Sequence, residues 1–127
     1  MSESFNRKRG LVIVPVELFG PSGSAVVRLA LDTGASRTLV NVAFLVNIGY
    51  DPSLEPERVQ LTTGSGVEFA PLVKLRRVAA LGQEILDLPV LAHTLPPTAG
   101  IDGLLGLDFL RERVLNIDFR QGTLSLS

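Results

Sequence analysis

Apolar runs in this chain are short and are cut repeatedly by glycine and proline, a pattern that favours strands joined by turns. LVIVPVEL (11–18) and AVVRLAL (25–31) flank FGPSGS, whose Gly20, Pro21 and Gly23 mark a turn, so the two runs read as a β-hairpin. RTLV (37–40) is a further short strand. Asn41 then caps VAFLVNI, whose apolar spacing suits one or two helical turns ended by Gly49. DPSLEPE is a loop. RVQLTTGSGVEFAPLVKL (58–75) carries β-rich runs on both sides of Thr63-Gly64-Ser65-Gly66 and predicts a second, glycine-tipped hairpin. More strands are expected at 74–80 and 84–91, followed by a loop over HTLPPTAG. IDGLLGLDFLRERV then passes from a buried apolar segment into a short helix near Leu107, and VLNIDFRQGTLSLS closes the chain as a hairpin turning at Gln121-Gly122.

With 127 residues, 46% of them hydrophobic and few aromatic, the chain supports one all-β domain over 10–127 with an aliphatic core. The polar arm 1–9 is the one segment expected to be disordered. A net charge of −1, with basic clusters only at Arg7-Lys8-Arg9 and Arg76-Arg77, argues against nucleic acid as a partner. Cysteine is absent, which removes disulfides and thiolate sites. Pro15 and Glu17 interrupt the first apolar run, and no stretch approaches the length of a membrane span, so a soluble, cytoplasmic protein is the expectation.

The end of the AVVRLAL strand runs into Asp32-Thr33-Gly34. Asp32 supplies an acid or base, Thr33 a hydroxyl able to lock a neighbouring loop, and Gly34 an amide that can approach closely because no Cβ intervenes. Ala35-Ser36 follow, and some seventy residues later comes GLLGLDFL, an apolar pair and glycine leading into a helix. Together these features resemble the retropepsin-like aspartic proteases, and the closing GLDFLRERVLNIDF is most similar to the protease domain of DNA-damage-inducible ubiquitin-shuttle proteins and to small bacterial relatives. The resemblance implies a closed all-β barrel with a flap hairpin and one short C-terminal helix. It also implies that Leu104, Leu105 and Gly106 support the loop of Asp32, Thr33, Gly34 and Ala35. Ser36 and Leu107 stand where the viral pattern has an acidic residue and an arginine.

Aspartic protease chemistry uses two carboxylates sharing one proton, one to deprotonate a water and one to donate to the scissile carbonyl. Asp51, Asp87, Asp102, Asp108 and Asp118 lack a Thr-Gly or Ser-Gly sequel, and the chain has no internal repeat. The resemblance therefore implies a homodimer in which Asp32 of a second copy completes the site, with Thr33 hydrogen-bonding across the twofold axis. Peptide or protein substrates would lie extended beneath a flap spanning Leu61 to Val67, with Thr62, Thr63, Gly64, Ser65 and Gly66 as its substrate-facing tip. The terminal hairpin 114–127, with alternating Leu124 and Leu126 in need of cover, is expected at the dimer interface. No cofactor or metal is expected: His93 stands alone, Asp102 reads as a turn residue, Asp108 as a first-turn helix charge, and GIDGLLG lacks the Lys-Ser/Thr of a phosphate loop. The competing reading is a domain of the same fold that binds peptides or mediates assembly without hydrolysis.

Overall fold

A computed structural model describes residues 2–64 and 66–127. Its strands are β1 (Ser2–Ser4), β2 (Ile13–Gly20), β3 (Gly23–Leu31), β4 (Leu39–Val40), β5 (Arg58–Thr63), β6 (Gly66–Ala80), β7 (Gln83–Ala92), β8 (Gly103–Leu105), β9 (Leu115–Asp118) and β10 (Thr123–Leu126). Two short helices, α1 (Val42–Asn47) and α2 (Leu107–Leu110), interrupt them. No helix among the described residues is long and apolar enough to cross a membrane.

Period-two alternation decides which side of each strand turns inward. In β2, Val14, Val16 and Leu18 are buried while Pro15 is exposed, and across the hairpin Val27 and Leu29 of β3 face the same interior. The strands join in the order β2, β3, β8, β4, β7, β6, and β6 pairs back onto β2, so six strands close into a barrel with β5 extending from β6. Closure leaves few free edges. The β3–β8 and β4–β7 neighbours are parallel and the other neighbours in the ring antiparallel, which places the end of β3 beside the end of β8. At the β2–β6 seam the paired register ends at Phe19 opposite Arg77. There the Tyr50 hydroxyl donates to the Phe19 carbonyl at 2.7 Å and accepts from the Arg76 amide at 2.8 Å, continuing the seam by one side chain.

The structure redraws three expectations. The hairpin arm expected to end at Leu75 and the separate strand expected at 74–80 form one continuous strand, β6, which runs through Pro71; its first part pairs with β5 and its second part belongs to the barrel. Proline lacks a ladder donor, but it sits opposite Arg58, where β6 passes from one neighbour to the next, and the Leu72 amide donates to the Glu57 carbonyl at 3.0 Å. The polar arm does not hang free: β1 pairs with β10, the Phe5 amide donates to the Gly122 carbonyl, and the Phe5 ring stands edge-on to Phe119. The arm's polar composition hides this docking, which rests on backbone pairing together with Phe5, the one apolar side chain of residues 2–9. Finally, Leu124 and Leu126 are 1% and 2% exposed within the single chain, packed into its own core, so neither needs a partner's cover.

Candidate active site

Asp32 begins where β3 ends. Its amide donates to the Leu105 carbonyl at 3.0 Å, one step beyond the Leu31–Leu105 pair, so the parallel β3–β8 contact fixes where the loop leaves the barrel. The chain then turns tightly, with the Ala35 amide donating to the Asp32 carbonyl and the Gly34 amide to Asp32 Oδ1 at 2.9 Å. A Cβ on Gly34 would stand 3.2 Å from that same oxygen, so the small residue lets the amide come close. Asp32 is half-buried, while Thr33 and Gly34 are exposed. Among the described residues no other protein donor reaches the Asp32 carboxylate, which leaves it available to a ligand.

The loop is clamped from below. The Leu107 amide donates to the Ala35 carbonyl at 2.8 Å, and the buried Gly106 amide donates to Thr38 Oγ1 at 3.1 Å. Thr38 in turn gives both its amide and its hydroxyl to Asp108, at 2.9 and 2.7 Å, and the Phe109 amide donates to Asp108 Oδ1 as well. A Cβ on Gly106 would lie 2.7 to 2.8 Å from backbone atoms of Ala35 and Arg37, closer than real side chains come, so only glycine fits between the loop and α2. Asp108 does sit in the first turn of α2. Its larger part here, as the acceptor that fastens Thr38, is not evident from a helix position, and Thr38 carries no motif signal of its own.

Leu104 and Leu105, expected to act as a pair beneath the loop, part company. Leu105 is fully buried in the main core, whereas Leu104 is half-buried beside Leu39, Ala70, Leu72 and Leu91, in a second cluster that includes Val59 and Leu61 of β5. Alternation in the three-residue strand β8 sends the two side chains to opposite faces. The second cluster links the loop's surroundings to the β5–β6 hairpin. In that hairpin Thr62 faces Val67 and Thr63 faces Gly66, and Gly66 has φ near +129°, a conformation that suits glycine. Ser65 lies outside the described residues. No hydrogen bond joins Thr62 or Gly64 to the Asp32 loop among the described residues. Val67 and Phe69, 56% and 64% exposed, point away from the leucine cluster, while Glu68 on the other face approaches His93 Nδ1 at 3.7 Å.

Three of the remaining aspartates have local structural duties. Asp102 Oδ2 accepts from the Arg28 amide, Asp51 Oδ1 from Ser53, and Asp118 Oδ1 from the Arg120 and Gln121 amides. Asp87 occupies a left-handed position with φ near +56° within β7. Within one chain, Asp32 therefore stands as the single aspartate of an Asp-Thr-Gly loop.

A closed six-stranded barrel that presents one such loop, locked by an apolar-glycine segment running into a helix, is the fold of the retropepsin-like aspartic proteases. The chain belongs to the aspartyl protease family, whose model matches residues 14–109, from β2 into α2. Among solved structures it is similar to a retropepsin-like aspartic protease from Rickettsia conorii, with 20% identity and a TM-score of 0.73 over 99% of this chain and 88% of that one. It is also similar to the retroviral protease-like domain of Ddi1 from Leishmania major, with 18% identity and a TM-score of 0.61 over 92% of this chain and 88% of that one. No curated protein matches the sequence significantly.

Proposed function

We propose that this protein is an aspartic endopeptidase that works as a homodimer, with the Asp32 carboxylates of two copies facing one another across a twofold axis. The observation that carries the reading is the Asp32 loop itself: a half-buried carboxylate held by the Gly34 amide and otherwise without a protein donor among the described residues, in a chain whose family membership is established. One carboxylate without a second cannot act as base and acid at once. A second copy supplies the missing group by symmetry, and the exposed Thr33 is free to hydrogen-bond to its counterpart's loop.

In this arrangement the dyad holds one proton. The ionised Asp32 takes a proton from a water lying between the two carboxylates as that water attacks the scissile carbonyl carbon. The protonated Asp32 gives its proton to the carbonyl oxygen, forming a neutral gem-diol. Collapse of that intermediate breaks the C–N bond, the amine nitrogen leaves with a proton, and the dyad is returned to its singly protonated state. The β5–β6 hairpin serves as the flap over an extended polypeptide, with Gly64 and Gly66 on either side of its tip, where added Cβ atoms would meet open space.

Cleavage of an unbiased peptide library by the purified protein, set against an Asp32→Asn control, tests the proposal. Cleavage lost in the control supports the endopeptidase. A protein that binds peptides equally well in both forms and cuts none would instead be a peptide-binding domain of this fold.

A further inference from the structure

We infer that His93 and Glu68 are positioning residues, a proton-dependent latch that holds the β5–β6 hairpin down on the barrel; this deepens the endopeptidase proposal and rests on taking that hairpin as its flap. The two residues belong to different bodies. Glu68 lies in the hairpin arm of β6, paired with Leu61, whereas His93 directly follows β7 and its amide donates to the carbonyl of the core residue Val40 at 3.1 Å. Their side chains approach to 3.7 Å between Glu68 Oε2 and His93 Nδ1, with the histidine 24% and the glutamate 51% exposed. The other ion pair among the described residues, Arg77–Glu84, stays within the β6–β7 ladder and links no hairpin to the barrel.

The hairpin already rests on the barrel through the leucine cluster, which joins Val59, Leu61 and Ala70 to Leu39, Leu91 and Leu104. Alternation along β6 puts Glu68 on the face of the buried Ala70 and Leu72, two positions nearer the tip, and His93 stands two positions beyond Leu91. The pair therefore extends the apolar contact toward the tip. Its strength is set by a proton, because an imidazole attracts a carboxylate only when protonated. The segments around His93 supply no competing charge: β4, α1, 88–92 of β7, 94–101 and 59–63 of β5 contain no charged residue, and Glu68 is the single one in 66–73. The next charges along these segments are Arg37, Arg58, Lys74, Asp87 and Asp102, and none of them forms an ion pair with His93.

The test compares the natural residue at 93 with His93→Gln, uncharged at every pH, and His93→Lys, charged throughout, each with Glu68 and with Glu68→Gln. In Asp32→Asn protein, relaxation dispersion of the amides of 59–62 and 67–70 reads the undocked fraction of the hairpin without chemistry. At about pH 5, His93→Gln should raise that fraction about threefold and His93→Lys should not; at about pH 8 the natural residue should match His93→Gln while His93→Lys stays docked. Glu68→Gln should erase these differences. With Asp32 intact, kcat/KM for a peptide substrate should follow the same pattern, and comparing variants at each pH cancels the titration of the dyad. An undocked fraction indifferent to the charge at position 93, or a dependence that survives Glu68→Gln, overturns the latch. A fraction that follows the charge while kcat/KM ignores it overturns the positioning role. A fraction that follows the charge in a protein that cleaves nothing supports the latch and overturns the endopeptidase reading, which keeps the two failures apart.

Discussion

Asp108 accepts three hydrogen bonds, two of them from Thr38, and Thr38 is fully buried. Asp108→Ala leaves those donors unsatisfied next to the Asp32 loop, and the expected loss is about 2–4 kcal/mol, read as a lower urea midpoint at unchanged slope. Thr38→Val removes the acceptor for the buried Gly106 amide and should cost about 1–3 kcal/mol, whereas Thr38→Ser keeps the hydroxyl and should stay within about 1 kcal/mol of the natural chain. A larger stability loss in Thr38→Ser than in Thr38→Val would show that the methyl group, not the hydroxyl, holds the loop. Asp32→Asn behaves differently, because the amide oxygen can still accept from Gly34. It should unfold at the same denaturant concentration as the natural chain, or slightly higher once two facing carboxylates no longer repel, and its peptide cleavage should fall to background. Unfolding of the variant at a clearly lower concentration would assign Asp32 a structural duty that its single side-chain bond does not suggest.

At the scale of elements, the barrel closes where β2 meets β6, with three paired positions before Tyr50 takes over. Tyr50→Phe strips both bonds at once, and stability should fall by about 1–3 kcal/mol, with faster amide exchange around Val78 than in β3. Uniform exchange across the barrel would mean that side-chain packing alone keeps the seam shut. This joint also marks how far the sequence could be read. The hairpins, the Asn41 cap, the Gly122 turn and the short helix after Gly106 follow from local rules, since each depends on residues within a few positions of one another. The seam joins residues some sixty positions apart through a tyrosine hydroxyl, and the pairing of β1 with β10 joins the two ends of the chain. Neither leaves a periodic trace. In the site, Asp32, Gly34 and Gly106 were legible as a motif, but Thr38 and Asp108 were not, because a threonine–aspartate bond across 70 positions has no spacing rule. The separation of Leu104 from Leu105 depends on strand alternation that a three-residue element is too short to advertise.

At the scale of the whole molecule, the endopeptidase proposed above needs a second copy to complete its site. Asp51, Asp102, Asp108 and Asp118 are engaged in turns, caps or the Thr38 clamp, so catalytic competence should follow dimer content. Specific activity should therefore fall on dilution in step with the dimer fraction measured by sedimentation, and constant activity in a purely monomeric sample would break that link. Leu124 and Leu126 are buried within the chain, so in the proposed dimer these two side chains are not available for contact, while the exposed faces around the Asp32 loop are. The most direct measurement mixes natural chain with Asp32→Asn protein at fixed total concentration, after subunits have exchanged. If each site needs one Asp32 from each of two copies, mixed dimers are inactive, activity follows the square of the natural fraction, and an equal mixture retains about a quarter of the starting rate. A linear fall, with about half the rate left in the equal mixture, would mean that each natural chain cuts peptides with its own Asp32 alone and would contradict the shared site.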